Sequence, residues 1–482
     1  MGDVRFFFRP EDVQHMGRAM GIELGTYDGV KRNALAVYFH TAPPDAEMPP
    51  DAGGKWSLAR WQTFRNWVLG GCPLGSATPQ AATAPLAAGA LGRLRKNVAG
   101  LSADELATLR TAFAGIMERD PSDANSYFAI AGAHGLPQSW CAHHDDPFNP
   151  WHRVFLEVFE DALRSVPGCE DVTLPYWDLT TELPAVLQQP PFDTYVLPKD
   201  PGAAAERPVT GYFPYTTQRS PVATITANLN AYGVFEDINT SLSQSMWGSF
   251  NIGGYQDFSM QAHDGGHVSI GPTMADQNVA SYDPVFWFYH CNLDRLWLSW
   301  QQNVGALTLT GFKSTISGDT SWLLPPFNAL APFPTTADES IAFGISYDKL
   351  EPPGGEGVGL ENKLGSVEAA RTFSIKRSTP VSVRVKDIDR LSIPGSFVVT
   401  LLADGEPIAK RAFFQPKSPR DCANCRKNAL INIDFRIDQE RLLDRKLSVS
   451  IDVPDHEDIG THFPLSRAGN PSINARLLLE DE

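Results

Sequence analysis

Seven of the eleven histidines fall between positions 134 and 290: His134, His143, His144, His152, His263, His267 and His290. His263 and His267 stand four apart, an offset of about 40° on an α-helix, so both imidazoles leave one face and can share a metal ion. His143 and His152 stand nine apart, roughly 180° around a helix, and cannot address one site from a single helix. Asn149-Pro150 resolves this. An N-cap residue followed by Pro at the first helical position predicts a helix starting near 150. It carries His152, Phe155, Leu156, Phe159 and Leu163 on one stripe, while His143 comes in from the preceding loop.

A single buried histidine is usually hydrogen-bonded and nothing more, but this density and spacing point to two groups of three imidazoles and two metal ions. Imidazole suits Cu, Zn, Fe and Ni. A di-iron carboxylate bundle needs Glu-x-x-His motifs, and none occurs. A zinc protease of the H-E-x-x-H type is excluded because Asp264 and a glycine pair follow His263. All-imidazole ligation of two ions favours copper.

Around these histidines the sequence resembles the type 3 copper proteins: tyrosinases, catechol oxidases and molluscan-type haemocyanins. The resemblance rests on His143, Phe148, Trp151-His152-Arg153, Leu156 and Glu160, with a departure at Asn149. It rests further on Asp283-Pro284, Phe286, Trp287, His290, Asp294 and Arg295. AHGLP at 133–137, LPYWD at 174–178 and ISYDKL at 345–350 are similar landmarks.

The resemblance implies a mainly α central domain, an antiparallel four-helix bundle holding a dicopper site, followed by a C-terminal antiparallel β-sandwich. It implies that His134, His143 and His152 hold one copper ion and His263, His267 and His290 the other. Oxygen is then the co-substrate, and phenols are oxidised to o-quinones, with prior o-hydroxylation of monophenols in tyrosinases. The alternatives are a catechol or o-aminophenol oxidase without monophenolase activity, and a haemocyanin-like oxygen-binding protein. Cys141 and His143 match a Cys-x-His arrangement that forms a thioether; a buried free thiol is the plain alternative. Phe286 is expected to wall the pocket, residues 274–281 to line its mouth, and Asp264 to be available as a base toward the phenol. Asp294, four residues after His290, is expected to orient an imidazole. His144 reads as a surface residue or a neighbour of the ligands.

Beyond the histidines the pattern changes. VSVRVKDI, GSFVVTLL, ALINIDF, LSVSIDV and SINARLLL are short, β-branched and separated by turn signals, and Asp404-Gly405 predicts a tight hairpin. Phe413 and Phe414 are consecutive in a strand, so they point to opposite faces and one leaves the sandwich core. Latent fungal relatives plug the copper pocket with such a residue shortly before a Cys-x-x-Cys, which makes Phe413 the expected plug and Phe414 the alternative. Cys422 and Cys425 are then candidates for copper delivery, since soft thiolates select Cu(I); a disulfide is the alternative.

Four segments follow. Residues 1–92 form an N-terminal extension of unknown role, with a small-residue linker at 74–92, and Trp56, Trp61 and Trp67 in it read as core or subunit contact. Residues 93–350 form the dicopper domain, 351–369 a hinge, and 370–482 the sandwich, expected to inhibit and to deliver copper. The 40 Lys+Arg against 56 Asp+Glu give a net charge of −16, which argues against nucleic acid or an anionic membrane as partner. The expected partners are small phenols, and a homo-oligomer is possible. With no signal-like or membrane-spanning apolar run, the chain reads as cytoplasmic, export after maturation being left open.

Overall fold

The computed structural model describes residues 93–205, 208–248, 253–342, 344–352, 380–454 and 462–477, with scattered positions between 8 and 68. The 74–92 linker and all but the first two residues of the 351–369 hinge lie outside the described residues. Two compact units emerge. One joins Met1–Leu91 to Gly318–Gly344, the other Gly92–Ser317 to Ile345–Glu482. Residues 318–344 thus group with the N-terminal segment, and the helical region groups with the β-rich tail. The Pro-Gly run after 350 breaks the sequence pattern, but the two parts pack against each other.

In the first unit, helix Tyr27–Arg32 starts at Thr26, whose side chain accepts from the Gly29 amide. Leu24, Val30, Val37, Trp56 and Phe64 are buried together, with Trp61 packed against them. Phe8, Trp56 and Phe64 meet edge to face. Trp56 and Trp61 thus contribute to a core; Trp67 lies outside the described residues.

The second unit begins with strand β1 (Arg93–Arg95), which pairs in parallel with β2 (Ile345–Tyr347). Helix α1 (Ala103–Met117) opens on a capping box: the Ser102 hydroxyl accepts from the Glu105 amide and the Glu105 carboxylate from the Ser102 amide. Helix α2 (Phe148–Arg164) starts two residues earlier than Asn149-Pro150 predicts. Pro150 therefore sits within the first turn, where a missing N–H costs nothing because those amides have no intrahelical acceptor. The ladder begins with Trp151 N–H to Pro147 O.

Helices α3 (Val234–Ser243), α4 (Tyr255–Ile270) and α5 (Val285–Asn303) complete the helical core. Aromatic side chains join α1, α2 and α5: Trp287 stacks on Phe159 at 3.5 Å, and Phe113 stacks on Phe288. Among the described residues no helix is long and apolar enough to cross a membrane.

The tail is two three-stranded antiparallel sheets, as the period-two runs predict. β3 (Pro380–Asp389) lies between β6 (Leu430–Asp438) and β8 (Ser472–Leu477). β4 (Phe397–Ala403) lies between β5 (Glu406–Phe413) and β7 (Leu447–Asp452). Val383, Phe397, Leu401, Phe413, Phe435 and Ile451 fill the space between the sheets. The β4–β5 turn places Asp404 and Gly405 at φ of +53° and +85°, the left-handed pair such a hairpin requires. A short helix, α6 (Ala423–Lys427), follows β5.

Candidate metal centre

The helical core sets the imidazoles. Helix α2 contributes His152, α4 contributes His263 and His267, and α5 contributes His290. His134 follows the short helix Tyr127–Ala131, and His143 stands on the loop before α2. The six fall into two triads, His134–His143–His152 and His263–His267–His290, with candidate ligand atoms in each within 4.8 Å of one another. The triads share a wall, because the His152 and His290 rings stack at 4.5 Å and 9°. All six rings are buried.

Protonation and orientation follow from burial. Desolvation pushes every one of these imidazoles below its ordinary range, His152 and His267 to about 3. The neutral rings are then oriented by their second nitrogens. His152 Nδ1 donates to Phe148 O at 2.9 Å, His267 Nδ1 to Met274 O at 2.8 Å, and His263 Nδ1 lies 2.8 Å from Asp264 Oδ1.

With Nδ1 so engaged, Nε2 keeps a lone pair aimed into the cluster. Nε2 of His152 and of His263 are buried without any hydrogen-bond partner. His134 and His143 bring their Nε2 atoms to 3.2 Å, and His267 and His290 to 3.0 Å. Where both nitrogens of such a pair present lone pairs, their burial is costly unless a cation lies among them. Six neutral nitrogen donors in two triads fit two copper ions.

The neighbouring residues divide into those that fall where the sequence put them and those that do not. Phe286 stacks on His290 at 4.1 Å and meets His134 edge-on at 4.8 Å, a wall common to both triads. Cys141 Sγ lies 3.0 Å from His143 Nδ1 and accepts from Gln277 Nε2. Burial pushes this thiol up to about 12, so it is protonated. Asp264, offered by the sequence as a base, lies beside the far nitrogen of His263, with its other oxygen 3.4 Å from His144 Nε2. It is Asp264, therefore, that orients an imidazole.

Asp294 does not. It accepts from Arg153 Nε at 2.6 Å, Tyr347 Oη at 2.6 Å and Arg95 Nη1 at 3.3 Å. Two buried guanidinium groups claim the carboxylate, and it becomes the hub tying α2, α5 and both strands of the β1–β2 pair.

The two phenylalanines offered as plugs point to opposite faces. Phe413 is the last residue of β5, and its ring points into the sandwich against Phe397, with Arg390 over its face. Phe414 turns the opposite way, and its ring lies 4.0 Å from His267 at 13°, edge-on to His143 and His263.

Cys422 and Cys425 form a disulfide. With Cα atoms 5.2 Å apart in the first turn of α6 they are within bonding reach, and a disulfide offers no thiolate to carry Cu(I). Helix α6 nonetheless docks on the ligand loop, Asn424 Nδ2 donating to His143 O.

The sequence left His144 without a role. The structure gives it φ of +58° and stacks its ring on Phe413 at 4.5 Å and 15°. No spacing signal could find it, because its partners come from α4 and from the distant tail.

The sequence profile of the common central domain of tyrosinase matches residues 124–207 and 188–303. A tyrosinase of Streptomyces lincolnensis is 30% identical over 235 residues, 43% of this chain and 82% of that protein. The chain belongs to the tyrosinase family. A solved tyrosinase from Burkholderia thailandensis shares the fold with a TM-score of 0.56 at 21% identity, covering 80% of this chain and 100% of that one. A functional unit of octopus haemocyanin superposes nearly as well, with a TM-score of 0.55 at 21% identity, covering 79% and 99%. In this tyrosinase-family chain the two triads form a dinuclear type 3 copper site, and the protein is a copper oxidase of that family.

Proposed function

We propose that the protein hydroxylates monophenols, such as tyrosine, and oxidises o-diphenols to o-quinones with O2, and that its C-terminal sandwich holds it latent. The carrying observation is Phe414: wholly buried, its ring lies flat on His267 where a flat phenol would otherwise lie. Two copper ions in the triads supply the electron transfer to O2 that no side chain can provide.

The chain's own residues do the rest. Phe148 O, Met274 O and Asp264 fix the tautomers of His152, His267 and His263, so each keeps a lone pair toward its ion. Phe286 closes one wall and keeps water from it. Cys141, beside His143, is placed to form a thioether that would lock a triad member carried by an irregular loop. Asp264 acts through His263 as a positioning residue and not on the phenol.

The test is to load the full chain with copper, cut it within 353–379, and assay catechol and tyrosine before and after. Quinone from both substrates only after the cut supports the proposal. Quinone from catechol alone makes the protein a diphenol oxidase. Reversible O2 uptake without quinone would make it a carrier, the reading that the likeness to octopus haemocyanin favours.

A further inference from the structure

The tail covers the pocket with more than one side chain. Residues 411–417 (RAFFQPK) cross its mouth as an extended segment, and the helical core engages them position by position. Arg411 pairs with Glu236 at 2.7 Å and with Asp237 at 2.8 Å, both on α3. Phe413 stacks on His144 and Phe414 on His267. Gln415 forms a parallel β-bridge with Asp276, and Lys417 Nζ reaches to 3.7 Å of the Asp276 carboxylate and 5.4 Å above the Tyr212 ring. The backbone is engaged as well, through the Gln415–Asp276 bridge.

Little of this is needed to plug a pocket for small phenols. One ring on His267 would suffice. A second aromatic platform, a backbone bridge, and carboxylates three positions before and after the central ring describe recognition of a polypeptide. The engaging residues lie on the helical core and remain when the tail departs.

We infer that this mouth is a binding groove for extended basic, aromatic peptide segments, and that the substrate class is a tyrosyl residue within such a peptide. The inference rests on the phenol-oxidase reading and deepens it. The tail segment is then a pseudo-substrate, with phenylalanine where the reactive tyrosine would lie and so no hydroxyl to react. For a tyrosyl ring the reaction consumes one O2. One oxygen atom enters the ring ortho to the hydroxyl and the other leaves as water. The ring ends as an o-quinone, O2 having taken four electrons from the phenol.

The test uses the copper-loaded full chain with its own segment undocked by Arg411→Glu and Phe414→Ser. A second variant, Phe414→Ser with Lys417→Glu, leaves the buried Arg411 pair intact should the first fail to fold. Fluorescein-labelled RAFFQPK should bind at least about tenfold more tightly than EAFFQPE by anisotropy. RAFYQPK should be oxidised with kcat/KM at least about tenfold above that of N-acetyltyrosinamide. Equal affinity for the two labelled peptides overturns the inference. So does oxidation of catechol with no preference for RAFYQPK, an outcome that leaves the oxidase reading standing. Failure to oxidise even catechol sinks that reading, and the substrate claim with it.

Discussion

The Phe414 ring lies flat against the His267 imidazole, 4.0 Å between centroids at 13°, while its neighbour Phe413 turns into the sandwich beside Phe397. The two side chains therefore do different jobs, and their removal separates them. Phe414→Ala should raise catechol oxidation by the uncut, copper-loaded chain. Phe413→Ala removes a buried core ring and should cost about 3–5 kcal/mol of stability, visible in a thermal or urea melt. Unchanged latency in Phe414→Ala would remove it as the plug.

Asp264 is expected to act through its hydrogen bond to His263 Nδ1. Asparagine preserves an acceptor at that place and alanine does not. Copper titration should find affinity largely retained in Asp264→Asn and lowered about 10–100-fold in Asp264→Ala. Equal losses in the two variants would mean that the charge, not the hydrogen bond, is what matters.

Asp294 accepts from Arg153, Arg95 and Tyr347, all buried. Asp294→Ala removes the carboxylate that two buried guanidinium groups share, Arg95 keeping Glu160, and should cost about 3–5 kcal/mol in urea unfolding. Whatever fraction remains folded should keep its full copper content. Copper loss without a stability loss would restore the role of imidazole orienter to Asp294.

The metal-free protein should be acid-labile through its histidines. The ordinary imidazole value is about 6.5, and burial holds His152 and His267 at about 3. As pH falls below the unfolded value, the unfolded chain takes up protons that the folded rings still refuse. Stability falls across that window, and the loss is complete once pH passes the folded values. Urea midpoints of metal-free protein should drop between pH 7 and pH 4.5, and His152→Phe should reduce the drop. A midpoint independent of pH, or a drop untouched in His152→Phe, would contradict this.

Much of the site was legible because its signals are local. The four-residue spacing of His263 and His267 fixes a helical face, and the Pro150 turn separates His143 from the helix that carries His152. The hairpin at Asp404-Gly405 and the five β-branched runs were read from the same short-range rules. What escaped depends on the packing of distant segments. Asp294 has the right spacing from His290, but Arg95 and Arg153 arrive from 199 and 141 residues away and claim it. The alternation of Phe413 and Phe414 was plain, yet which face looks toward the copper pocket depends on how β5 lies against α4. His144 draws its partners from α4 and from the distant tail, and the grouping of 318–344 with the N-terminal segment has no trace in composition.

The central claim is that two buried imidazole triads hold a copper pair. Copper quantitation per folded chain, on protein reconstituted with Cu(I) and cleared of loose metal, tests it most directly. The account predicts two ions per chain, with at least one lost when His152 and His263 are both replaced by alanine. A chain that retains no copper, or retains two ions in that double variant, would contradict it.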